Sequence, residues 1–68
     1  MYYIFWCELN TKTGFKTMYH VGLIDYEMSQ EQRFHLAAGP FSSYDEAVRE
    51  KVWQQLASDD QWALLHSA

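Results

Sequence analysis

From Tyr2 to Leu9 the chain is apolar or aromatic at almost every position, with no helix cap and no recurrence every three or four residues, which predicts a β-strand. Asn10-Thr11-Lys12-Thr13-Gly14 follows as a polar turn, with a glycine at its end where positive φ costs little. Phe15 to Ile24 resumes the strand pattern, so the first two runs predict a hairpin. Asp25 to Glu31 is a polar connection apart from Tyr26 and Met28, and Gln32 to Ala38 predicts a third, shorter strand stopped by Gly39-Pro40.

Beyond Phe41 the pattern changes period. Ser43 stands where an N-cap belongs, with Glu46 three residues on, the spacing of a capping box. Val48, Val52 and Leu56 then recur every four residues beside Tyr44 and Ala47, predicting a helix from about Tyr44 to Ala57 with one apolar stripe and Glu46, Glu50 and Gln54 on its far side. Ser58-Asp59-Asp60-Gln61 reads as a second cap. It opens a short C-terminal helix through Trp62 and Leu65, with an edge strand over the same residues as the alternative. The expected fold is α+β: a three-stranded antiparallel meander, one amphipathic helix on one face, and a short terminal helix, all in one domain spanning residues 1–68.

Side chains alternate across a strand, so residue parity sorts them into two faces. Tyr3, Phe5, Cys7 and Leu9 carry no charge and are expected under the helix, together with Phe15, Tyr19, Val21 and Leu23 from the second strand and Phe34, Leu36 and Ala38 from the third. The opposite face would then expose Tyr2, Ile4, Trp6, Met18 and Ile24 among Glu8, Lys16, His20, Arg33 and His35. Exposed apolar patches rich in Trp, Tyr, Met and Arg mark contact surfaces, so Tyr2, Ile4, Trp6, Met18, His20, Arg33 and His35 are the expected partner-binding set.

Composition narrows the function classes. With hydrophobic residues at 49% and aromatics at 18% of 68, disorder is disfavoured. A single cysteine, Cys7, allows no internal disulfide, which points to a reducing compartment, and the absence of a long apolar run or leader pattern adds to the expectation of a cytoplasmic protein. His20, His35 and His66 have no metal-ligand spacing, no glycine-rich phosphate loop exists, and no cofactor or metal is expected. Cys7 lies mid-strand on the expected core face, where a thiol behaves as a small hydrophobe, so no catalytic residue is assigned and no enzyme is expected.

The net charge of −4 gathers in the second half. Asp45, Glu46, Glu50, Asp59 and Asp60 form an expected acidic surface, explained in part by the preference of acids for helix N-termini.

The run Phe34-His35-Leu36-Ala37-Ala38-Gly39-Pro40-Phe41-Ser42-Ser43-Tyr44-Asp45-Glu46-Ala47 resembles the strand, Gly-Pro-Phe turn and capped helix of the peptidoglycan-binding SPOR (sporulation-related repeat) domains. The resemblance covers about a fifth of the chain. That family resembles two strand-helix-strand halves, whereas residues 1 to 32 show no first helix, so neither its fold nor its ligand is carried over.

The residues therefore predict a small non-enzymatic protein-binding module, of the inhibitor or regulator type found in phages and mobile elements, with a protein partner or a homodimer at the aromatic sheet face. Single-stranded nucleic-acid binding through Tyr2 and Trp6, helped by Lys16, Arg33, His20 and His35, is the first alternative; an acidic nucleic-acid mimic is the second.

Overall fold

The computed structural model describes residues 1–23 and 34–66. Three strands and one helix are present: β1 (Tyr2–Thr11), β2 (Gly14–Gly22), β3 (His35–Phe41) and α1 (Tyr44–His66). The α+β class, the antiparallel three-stranded sheet and the helix after it agree with the sequence pattern. The strand order does not follow a meander: β1 is central, in the order β2-β1-β3.

The hairpin is tighter than the polar run suggested. Thr11 pairs with Gly14, so the loop is Lys12-Thr13 alone, with the Thr11 hydroxyl donating to the Gly14 carbonyl at 2.6 Å and accepting the Thr13 N–H at 3.3 Å. A two-residue loop pairs odd residues of β1 with even residues of β2: Phe5 with His20, Cys7 with Met18, Leu9 with Lys16. Had the loop spanned Asn10 to Gly14, odd residues would have met odd ones. Register displaced by one residue moves a whole strand's side chains to the other face, and the parity expected for β2 is reversed for this reason.

β3 carries its own corrections. One step on β1, from Phe5 to Ile4, spans two on β3, from Leu36 to Ala38, so an extra residue sits at Ala37. Leu36 keeps to the face of Phe5 while Ala38 joins Ile4 on the other, and the expectation that both point the same way fails. A second irregularity falls at Gly39-Pro40, where the peptide bond is cis. Gly39 has φ +131°, and a Cβ there would lie 2.6 Å from the Tyr3 ring and 3.2 Å from the Tyr2 carbonyl oxygen, so only glycine fits.

α1 begins as its cap residues predict. Ser43 Oγ accepts the Glu46 N–H at 3.1 Å, and the Glu46 carboxylate takes the Ser42 hydroxyl at 3.4 Å. The helix then runs unbroken to His66, in place of the two expected pieces. Asp59 does not cap a new helix because its carboxylate is engaged sideways, by Lys16 Nζ at 3.3 Å and the Gln55 amide at 3.0 Å. At the far end the His66 ring lies 2.9 Å from the Thr13 carbonyl oxygen and stacks on Trp62 with centroids 4.1 Å apart, which ties the last turn to the hairpin.

Ile4, Phe5, Cys7 and Ala47 are buried. Ile4 and Phe5 are neighbours on opposite faces, so the centre of β1 is covered on both sides. The radius of gyration, 12.9 Å, exceeds the roughly 11 Å expected of a compact chain of this length, and one principal extent is 12 Å. A layer this thin results when a helix lies beside a sheet instead of across it.

Candidate interaction surface

One side chain holds the middle of α1 against the sheet. Gln55 Oε1 accepts the Tyr19 N–H at 2.8 Å and its amide donates to the Thr17 carbonyl at 3.0 Å. These are two of the backbone groups that β2 turns away from β1, and the Gln55 amide satisfies them as a neighbouring strand would. The helix is thereby fixed along the outer edge of β2. Its first turn meets Tyr2, whose ring lies edge-on to Tyr44 at 5.5 Å, and Thr17 and Tyr19 line a cleft with Gln54, Ala57, Ser58 and Gln61. Thr17, Tyr19, Tyr2, Ile4 and Trp6 share one face by register, so α1 leans toward the face expected to be open.

The seven expected contact residues are consequently separated. Ile4 is fully buried, and Trp6 is half-buried and stacked on His35 with centroids 4.5 Å apart. Tyr2 is held by Tyr44. Met18 and His20 belong to the opposite face, where His20 Nε2 is 3.7 Å from the Cys7 sulfur and its ring meets Phe34 edge-on at 5.2 Å. Arg33 and Ile24 lie outside the described residues. The set does not form one patch. The acids are dispersed as well: Asp45, Glu46, Glu50 and Asp60 are exposed along α1, while Asp59 is paired with Lys16.

What the structure brings together is a stripe that the pattern assigned to the core. Through Lys51, Gln55 and Asp59 the helix turns polar side chains toward the sheet edge, where they are partly covered. Val52 and Leu56 point away, 45% and 54% exposed, and Trp53 beside them is 71% exposed. Arg49 and Asp60 stand at either end of this stretch, both exposed and without an ion pair among the described residues. The spacing 49, 52, 53, 56, 60 places all five on one flank. Further along, Leu64 is 76% exposed. The signal that could have revealed this orientation was Gln55 itself, a long amide flanking the apolar stripe on its Val48 side, suited to a strand edge.

No chemistry for a reaction converges on this flank. Phe41, Ser43, Glu46, Arg49, Glu50 and Trp53 line an open depression of about 540 Å³, with no nucleophile paired to a base. Among the described residues no group of three His, Cys, Asp or Glu side chains could hold a metal ion, and no helix is long and apolar enough to cross a membrane. No protein-family model, curated protein or solved structure matches the chain.

Proposed function

We propose that this chain is a non-enzymatic protein-binding module whose contact surface is the outward flank of α1, centred on Trp53. The observation that carries the reading is the exposure of Val52, Trp53 and Leu56 side by side, while the sheet-facing side of the helix, past the buried Ala47, is held through the polar Gln55. Large apolar side chains clustered on one exposed strip are the composition of an interface centre, and Trp and Arg are among the residue types enriched at binding hot spots.

The partner that fits is a protein surface apolar at its centre, with an acidic group to meet Arg49 and a basic group to meet Asp60. Stacking on single-stranded nucleic acid is less well supported, because the Tyr2 and Trp6 rings it would use are engaged by Tyr44 and His35. Mimicry of nucleic acid needs a dense acidic array, and one of the five acids is already neutralised by Lys16.

A photo-crosslinking residue at position 53 tests the reading in the cells that produce the protein. A discrete protein adduct is expected, absent when Leu56→Asp is added and absent from a control site at Lys12; equal labelling at both sites would remove the proposal.

A further inference from the structure

Resting on that reading, we infer that the occupant of the α1 flank is a second copy of this chain, docked with the two helices antiparallel. The flank is complementary to itself. Arg49 and Asp60 lie at equal distances from the level between Gln54 and Gln55, as do Trp53 and Leu56, and all four point to solvent on one side of α1. A two-fold axis through that level sets Trp53 of one copy against Leu56 of the other, twice. It also sets each Arg49 against the opposing Asp60, so one axis forms two ion pairs around an apolar centre. A closed two-fold interface requires this property, one patch serving both partners with residue i meeting j and j meeting i.

A parallel pairing would place Arg49 against Arg49 and Asp60 against Asp60, so charge selects the antiparallel arrangement. Neither group is committed elsewhere among the described residues, in contrast to Asp59 one position away, which Lys16 and Gln55 hold. The β2 edge is not available at Thr17 and Tyr19, because Gln55 already occupies them. The helical run from Arg49 to Asp60 is continuous and anchored to β2 midway, so the surface exists before the partner arrives and little ordering is needed on docking.

Sedimentation equilibrium of the purified chain, with helicity followed by circular dichroism to confirm folding, tests this. A dimer is expected. Arg49→Asp and Asp60→Arg should each weaken it about tenfold, since each reversal introduces two repulsions. The Arg49→Asp, Asp60→Arg double variant should return to within about threefold of the wild type, because the exchanged charges meet again. A dimer indifferent to these changes, or a double variant weaker than either single one, would overturn the antiparallel pairing. A wild-type monomer at millimolar concentration that still forms a position-53 adduct with a different protein would defeat the second copy and leave the binding reading standing. A monomer with no such adduct would remove both.

Discussion

The two sides of α1 invert the usual division of labour in an amphipathic helix. The side against the sheet sets Lys51, Gln55 and Asp59 among the buried Ala47 and the half-buried Val48 and Trp62; the side toward solvent carries Val52, Trp53 and Leu56. Helices in small domains are ordinarily held by burial of an apolar stripe, which is non-directional and tolerant of rotation about the helix axis. Here directional contacts are added to the burial of Ala47. Gln55 bonds to two backbone groups two residues apart, Asp59 pairs with Lys16, and His66 meets the hairpin at Thr13. Directional contacts fix rotation and leave the apolar side available, so the inner side determines where the outer side points.

That division predicts unequal costs. The largest belongs to Gln55→Leu, which retains bulk and adds hydrophobicity yet leaves the Tyr19 N–H and the Thr17 carbonyl partly covered and unpaired. A loss of about 1–3 kcal/mol is expected in urea denaturation, and a gain in stability would show that burial, not edge pairing, holds the helix. The Lys16–Asp59 pair comes next. Its side chains are 33% and 38% exposed, and a double-mutant cycle with Lys16→Met and Asp59→Asn should give a coupling below about 1 kcal/mol that shrinks with added salt. The smallest effect is expected outside: Leu56→Ser, measured where the chain is monomeric, should change folding stability by no more than about 0.5 kcal/mol. A loss of several kcal/mol there would place Leu56 in the core and erase the contrast between the two sides.

Much of the architecture could be read from residue order. Aromatic and β-branched runs give the strands, and Ser43 with Glu46 locates the helix start to the residue, because cap chemistry is local. What could not be read was which face each strand presents, since this depends on a count at the turn. Thr11 and Gly14 are compatible with a loop or with a closing pair, and choosing the pair reverses Lys16, Met18 and His20 together. Ala37 has a similar effect in β3, where an extra residue sends Leu36 and Ala38 to opposite faces without any composition signal. The helix end was obscured for a different reason. Asp59 is a good capping residue, and only a distant lysine on β2 explains why the chain does not stop there. Met18 and His20 left the expected contact set through register and Tyr2, Ile4 and Trp6 through the contacts that cover them, whereas Val52 and Leu56 were noticed and assigned to the wrong environment.

Gln55 has a consequence for the sheet's capacity to grow. A three-stranded layer has two margins, and strand-by-strand addition at both would let copies stack without limit into fibrils. One margin, along β2, is occupied at Thr17 and Tyr19 by a side chain of the same molecule. The other, along β3, pairs with no further strand among the described residues. Gln55 therefore bars strand addition along residues 17–19 of the β2 margin, and replacing it would reopen that stretch.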